Sequence, residues 1–374
     1  MNRKVVIVHN ILAPYKVALF NELAKLNSNM EVIFIAEKEN RRDWNIDYNN
    51  IKFPFTVLFK GSIDRINSFT IAKHTWRKLE EIRPETLIIC DYSNIFGWVA
   101  LRWAKKNNNN LIFWLDSTYN DRKHSFPKEQ LKHFFLKHFD AFLAPGERTK
   151  QYLEFMKVDS SKIVKIGYSV NNDYFIRQYQ QHYDNKENLL KDLKIQKKSN
   201  FIFIGRFAPE KNIFTLLNAF LNLKNNKWGL LLLGDGQLRE DIKSFIKENK
   251  LEDNILLPGF IQHDDIVKYF IASDVFILPS LSEPWGLVVN EAMLCRLPVI
   301  VSTKCGCQPE LVKEGLNGFS FDPNNEQYLA TVMQEFVDGN FNINSMGDAS
   351  LKIILEHSPD IIAQKIATGI EAYI

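Results

Sequence analysis

The sequence has little cysteine: four residues in 374, at Cys90, Cys295, Cys305 and Cys307. They form no Cys-x-x-Cys pair, which excludes a disulfide scaffold and favours a reducing, cytoplasmic compartment. Cys305-Gly306-Cys307 has no His or Cys cluster beside it, so a tight turn is expected there and no metal site. Long apolar runs are also missing: none reaches the roughly 18 residues needed to span a bilayer. The opening MNRKVVIVHNILAPYKVALF starts basic, but His9, Asn10, Pro14 and Lys16 interrupt its apolar stretch. It reads as a strand and a helix, with no signal peptide. VVIVHNILAPYK contains no glycine, which removes the dinucleotide fingerprint and counts against a dehydrogenase. No nucleic-acid motif accompanies the basic residues, so nucleic acid is not an expected partner.

What is present is a soluble globular balance, with 45% hydrophobic and 24% charged residues. A chain of this length fits two domains of about 150–200 residues. The net charge is +3, but residues 1–185 hold 28 Lys and Arg against 20 Asp and Glu, and residues 186–374 hold 19 against 24. The first half is therefore the basic half. Stretches such as RKLEEIR (77–83) and KEQLKHFFLKHF (128–139) read plainly as solvated helix faces with a packed apolar side. The sharper alternative is attraction to an anionic membrane surface or a phosphate-bearing acceptor.

Short apolar runs rich in β-branched residues alternate with amphipathic patterns. In the first half these are VVIVHN (5–10), EVIFIAE (31–37), TLIIC (86–90), LIFWL (111–115) and AFLAP (141–145). Helical patterns lie between them, at 15–26, 70–82 and 94–106. Such alternation predicts an α/β fold with a parallel sheet covered on both faces. It pauses over the polar residues 171–200 and restarts with FIFIGR (201–206), WGLLLLGDG (228–236), NILLPGF (254–260), DVFILPS (274–280) and PVIVS (298–302). The expectation is two doubly wound, Rossmann-like domains at 1–185 and 186–357, facing a central cleft. Ligands in such sheets sit beyond the carboxyl ends of the strands.

The chemistry-bearing residues stand in loops of that kind. Gly205-Arg206 closes one strand pattern, and Lys211 follows where a helix opens. A helix N-terminus with an Arg and a Lys beside it suits a diphosphate; charge around an ordinary turn is the alternative. Glu210 is a candidate to hold Lys211 in place. Gly234 and Gly236 stand at the next strand end, and backbone around Gly259 and Phe260 is placed to contact a base. Then comes SLSEPWGLVVNEAML, with Glu283 and Glu291 eight positions apart. Pro284 suits a first helical turn, which would put Glu283 at the helix mouth and Glu291 at most about 12 Å along the axis. Two carboxylates so placed fit the two ends of one extended ligand better than a pair flanking one glycosidic bond. Backbone N–H groups of Trp285, Gly286, Leu287 and Val288 could hold a phosphate or sugar oxygen. A capping Glu283 with a solvent-facing Glu291 is the alternative.

Taken together, GRFAPEKN, LLLGDGQL, LPGF, LPSLSEPWGLVVNEAM and PVIVSTKCGCQPELVKEGLNGFSF resemble family 4 of the retaining glycosyltransferases (group 1 glycosyl transferases), which have the GT-B fold. The resemblance is strong over roughly 200–325 and extends to the whole chain. It implies transfer of a sugar from a nucleotide sugar, a UDP- or GDP-sugar as co-substrate, with retention, no metal and no other cofactor. The sequence has no Asp-x-Asp of the metal-dependent type. By position, Arg206 and Lys211 would neutralise the leaving diphosphate, Glu283 would orient the donor sugar, and Glu291 would hold the ribose hydroxyls. The last helix, about 358–374, would pack back on the first domain. The chain departs from the family pattern where a glycine-rich loop is usual: Pro14, Tyr15 and Lys16 stand there, and Lys16 is a candidate phosphate contact. Where many members have His-Asp, LIFWLDSTYNDRKH has Asp116 and Ser117, with His124 further on. Asp116 becomes a candidate for the reaction centre, and Tyr15, Lys16, Tyr92, Ser93 and Ser117 for acceptor contact. His9 is expected to be packed or at the surface. Cys307 would narrow the pocket near the donor phosphates, with Glu310 supporting it. The resemblance implies a glycan or lipid-linked glycan acceptor in cell-surface polysaccharide or lipopolysaccharide synthesis, at the inner face of the cell membrane. A small soluble acceptor, or a non-catalytic nucleotide-sugar-binding subunit, are the other readings.

Overall fold

The computed structural model describes residues 3–40, 47–121, 126–224 and 227–373; His124 lies outside them. Its contacts divide into two units, Met1–Asn171 with His357–Ile374, and Asn172–Glu356. The division at Asn171 precedes the expected one at 185. The polar stretch beyond it is helical, over Asn172–His182 and Lys186–Asp192. The first of these helices buries Asn172 and Phe175 and packs on two helices of the second unit, His263–Ile271 and Leu287–Leu294. Few of its positions are apolar, so its period is faint in the sequence.

In the first unit, β1 (Val5–Ile11), β2 (Met30–Lys38), β3 (Phe55–Ser62), β4 (Thr86–Ile89), β5 (Asn110–Trp114), β6 (Ala141–Ala144) and β7 (Ile163–Lys165) form one sheet. The order is β3-β2-β1-β4-β5-β6-β7, and the pairings are parallel. Both faces of the central strands are buried, which is why they read as continuous apolar runs. Two strands escape the sequence reading. β3 is a half-buried edge strand, and β7 has three residues.

The final helix, Pro359–Ala372, belongs to this unit and lies against the helix Pro14–Leu26. Its Ile362, Ala363, Ile366, Ala367 and Ile370 share a core with Val5, Ile7, Phe20 and Leu23. Their 3–4 residue spacing gives the helix one apolar face.

The second unit holds β8 (Ser199–Ile204), β9 (Trp228–Leu233), β10 (Ile255–Gly259), β11 (Val275–Leu278), β12 (Val299–Ser302) and β13 (Gly318–Phe321). Their order is β10-β9-β8-β11-β12-β13, again parallel. The order reverses between β8 and β11, the point where doubly wound sheets open a ligand crevice. Arg206 follows β8, and Glu283 follows β11.

Ile366→Ala should destabilise the first unit by about 2–5 kcal/mol, since the side chain is fully buried and its void cannot collapse freely. Urea unfolding checks this, with the exposed Lys365→Ala as the near-neutral comparison.

Candidate functional site

In the second unit the loops at the carboxyl edge are laced by their backbones. Gly205 N–H donates to Leu233 O (3.0 Å), Phe207 N–H to Asp235 O (2.8 Å) and Gly234 N–H to Gly259 O (2.8 Å). A Cβ on Gly234 would lie 1.9 Å from Gly205 O, so only glycine lets the turn after β9 press onto the turn after β8. Across the switch point, Leu281 N–H donates to Glu210 O (2.9 Å). On the far side, Gly306 N–H donates to Glu283 O (2.9 Å) and Cys307 N–H to Trp285 O (3.1 Å). A Cβ on Gly306 would lie 1.8 Å from Pro284 O.

Those bonds place Glu283 differently from the sequence reading. Pro284 and Trp285 are not helical. The helix runs Leu287–Leu294, with Gly286 at its N-cap in a left-handed conformation, φ 100°. Glu283 therefore stands in the preceding loop, bridged to Cys305, and not at the helix mouth. Its carboxylate pairs with Lys211, and both side chains are largely buried. Arg206, whose side chain is 49% exposed, pairs with Glu210. Glu210 thus holds Arg206 and not Lys211, because Lys211 reaches inward to Glu283. Desolvation pushes the Glu210 carboxyl up, but its backbone hydrogen bond and the Arg206 charge outweigh this and hold it below the usual carboxylate range.

Glu291 sits within the helix that follows. It is half-buried, and no hydrogen bond or ion pair engages its side chain among the described residues. Burial pushes its carboxyl up to about 8. It is neither a solvated surface group nor a paired one. A carboxylate in this state gains most from hydroxyl donors brought by a ligand.

The remaining positions divide by exposure. Leu287 and Val288 open the helix, where N–H groups have no intrahelical partner. The Trp285 side chain is core: its indole N–H donates to Asn290 Oδ1 (2.9 Å). Gly259 ends β10, and the Phe260 ring after it is 65% exposed. Cys305 and Cys307 are buried free thiols, and burial holds the Cys307 thiol well up from its ordinary value. No group of three or more potential metal ligands occurs among the described residues.

Two residues at this edge were missed. Arg239 is half-buried, with one guanidinium nitrogen lacking a hydrogen-bond partner and Asp235 at 3.6 Å. Ser280 is fully buried at the exit of β11, with its hydroxyl unpartnered. The spacing Gly-x-Gly-x-x-Arg after β9 was the available signal for Arg239. Ser280 carried none.

In the first unit, Lys16 is 1% exposed and cannot serve as an open phosphate contact. Its ammonium lies 3.9 Å from the Trp114 ring and 4.7 Å from the Tyr168 ring, with Asp116 Oδ2 at 3.6 Å. Tyr168 O–H donates to the same Asp116 oxygen (2.7 Å), and its ring stands 5.9 Å from Tyr15. Burial and the Asp116 charge push the Tyr168 phenol well up. Lys16, Asp116, Tyr15 and Tyr168 thus form one cluster, and the Asp116 side chain stays 38% exposed. Ser117 is half-buried beside it. Tyr92 and Ser93 do not join this cluster. Tyr92 packs on Phe113 and Phe135, and Ser93 N–H and O–H both donate to Asp91 (2.6 Å each) in a local turn. His9 is packed between Phe20 and Phe34, its Nδ1 3.0 Å from Ile11 O.

Comparison with known proteins bears on both units. Residues 185–350 match the family model described as glycosyl transferases group 1. An uncharacterized glycosyltransferase of Methanocaldococcus jannaschii is 31% identical over 147 residues, 39% of this chain and 40% of that protein, so the match spans less than half of that relative. The alpha-monoglucosyldiacylglycerol synthase of Acholeplasma laidlawii is 24% identical over 79% of this chain and 78% of its own. Among solved structures, Anabaena HepE in complex with UDP superposes with a TM-score of 0.79 over 99% of this chain and all of that one, at 17% identity. Residues 185–350 thus resemble the group 1 glycosyl transferases, and the chain has a GT-B fold of two parallel-sheet α/β domains.

Proposed function

We propose that the protein is a retaining, metal-independent glycosyltransferase of family 4 type. It moves a sugar from a UDP- or GDP-sugar to a glycan or lipid-linked glycan in cell-surface polysaccharide or lipopolysaccharide synthesis. The observation that carries the reading is the loop after β11, which anchors Glu283 to Lys211 and leads into the helix where Glu291 stands half-buried. Glu291 receives the ribose hydroxyls. Glu283 orients the donor sugar and holds Lys211 toward the diphosphate. Arg206 exchanges Glu210 for a phosphate oxygen, at little cost because an exposed ion pair contributes only about 0–1 kcal/mol. The exposed Phe260 ring offers a face to the base. Neutralising the diphosphate as the sugar leaves is the main electrostatic task of the site.

In the first unit, Asp116 is the group proposed to meet the acceptor or reaction centre. Lys16 and Tyr168 hold it in place. A lipid acceptor finds support in the name of the Acholeplasma relative, alpha-monoglucosyldiacylglycerol synthase. On the helix Phe126–Leu136, Leu131 and Phe134 are exposed, with the Lys137 ammonium 4.2 Å over the Phe134 ring. Apolar side chains beside lysines suit peripheral contact with an anionic membrane. No helix among the described residues is long and apolar enough to cross one.

The testing experiment is a thermal-shift panel of nucleoside diphosphates and their sugars, with and without EDTA. Stabilisation by one UDP- or GDP-sugar that survives EDTA is expected. A folded sample indifferent to all of them would overturn the reading. Glu291→Ala should weaken nucleotide binding about tenfold, as loss of one or two hydrogen bonds does. Glu283→Ala, which also releases Lys211, should reduce transfer and weaken nucleotide binding less than Glu291→Ala does. Equal loss of nucleotide affinity in both variants contradicts these roles.

The raised Glu291 pKa fixes a further sign. Its contribution to stability is fully present below the unfolded value near 4.5 and is lost as pH rises through about 8. Glu291→Gln should therefore raise the Tm of the unliganded protein at pH 9, by roughly 2–4 °C or more, and leave it unchanged at pH 4. A melting series across pH reads this directly.

A further inference from the structure

The turn after β9 opens the helix Arg239–Glu248, whose first side chain lies against the end of β10. A Cβ on Gly259 would stand 3.2 Å from Arg239 Nη1 and 3.4 Å from Nη2, so the guanidinium rests where a side chain at 259 would begin. The glycine itself has φ +94°, a left-handed conformation that an L side chain resists. Phe260 follows at once, with its ring exposed. Backbone bonds fix this corner from behind. Arg239 N–H donates to Gly236 O (3.1 Å), Leu238 N–H to Phe207 O (3.1 Å) and Gly234 N–H to Gly259 O (2.8 Å). One laced turn thus joins the loop of Arg206 to the guanidinium of Arg239 and the end of β10.

The fold makes little use of that guanidinium. Its Nη1 is buried and has no hydrogen-bond partner among the described residues. Asp235 Oδ2 stands 3.6 Å away, beyond hydrogen-bond reach, on a side chain that is 57% exposed. An open ion pair of this kind contributes little to stability, while a buried N–H without an acceptor is costly. A guanidinium only donates, so its best partner is an acceptor brought by a ligand. The exposed aromatic ring beside it suits the flat face of a base, which leaves the guanidinium to the base's edge. On that edge uracil O4 and guanine O6 accept, whereas cytosine N4 and adenine N6 donate. We propose that Arg239 selects the base of the sugar donor: it donates to the exocyclic oxygen of an oxo base, uracil or guanine, and rejects the amino bases cytosine and adenine. This role rests on the transferase reading, which puts the base at Gly259 and Phe260 and assigns no residue to its choice.

The test is calorimetric titration of UDP, CDP, GDP and ADP into the full chain and its variants Arg239→Gln, Arg239→Lys and Arg206→Gln. UDP against CDP, and GDP against ADP, compare bases of one ring size on the same diphosphate. Melting curves establish that each variant is folded. In the unaltered chain the oxo member of at least one pair should bind about tenfold more tightly than its amino partner. The tighter of UDP and GDP names the base. Arg239→Gln should narrow that ratio about tenfold, through loss of the oxo nucleotide. Arg239→Lys, the more conservative change, should narrow it by less. Arg206→Gln should weaken both members alike and keep the ratio, because the phosphates are common to both. Equal binding of oxo and amino members by the unaltered chain, a ratio unchanged in both Arg239 variants, or equal weakening of both members by Arg239→Gln would each overturn the proposal. Diphosphate binding that persists without any base preference sinks this inference alone. A folded chain that binds none of the four, and that no nucleotide sugar stabilises, takes the transferase reading down with it.

Discussion

The site in the second unit depends on backbone lying directly on backbone. Two carbonyl oxygens, Gly205 O and Pro284 O, occupy the places that the Cβ atoms of residues 234 and 306 would take. Each contact draws a loop from one strand onto the loop of a neighbour. The first binds the turn after β9 to that after β8. The second binds the Cys305–Cys307 turn to the loop holding Glu283. Without them, Glu283 would have no fixed position from which to meet Lys211. The charged residues are thus arranged by close approach of the chain, and their own attraction refines a geometry already set.

The two cations of the site are held by different carboxylates in different surroundings. Lys211 and Glu283 are largely shielded, so their attraction is weakly screened and their geometry restrictive. Arg206 and Glu210 are open to water, so their pairing is readily exchanged. One positive charge is stationed and the other adaptable. Glu291 completes the contrast as a carboxyl that burial has partly neutralised.

Much of the architecture was legible because central parallel strands are apolar on both faces, as in VVIV, LLLL and VFIL. The strands that escaped were those without that signature: β3 at an edge, β7 with three residues and β13 with four, two of them only half-buried. The helix after Asn171 escaped because Gln, Asn and Tyr fill most of its turns. At the site, residue types were readable and partners were not. Pro284 looked like a helix start, but the left-handed Gly286 moves that start to Leu287. Lys16 looked like a free cation on a loop, yet three rings enclose it. Contacts of that kind join residues more than a hundred positions apart, such as Lys16 and Tyr168, and leave no local pattern.

The return of the final helix to the first unit has a consequence for how the chain is made. The first sheet is synthesised early, but the apolar face that Ile362, Ile366 and Ile370 cover stays bare until the helix Pro359–Ala372 is translated. The second unit, Asn172–Glu356, is contiguous and can close while the ribosome is still attached. The order of completion is thus the reverse of the order of synthesis. During that interval the nascent first unit presents a hydrophobic surface that chaperones would recognise.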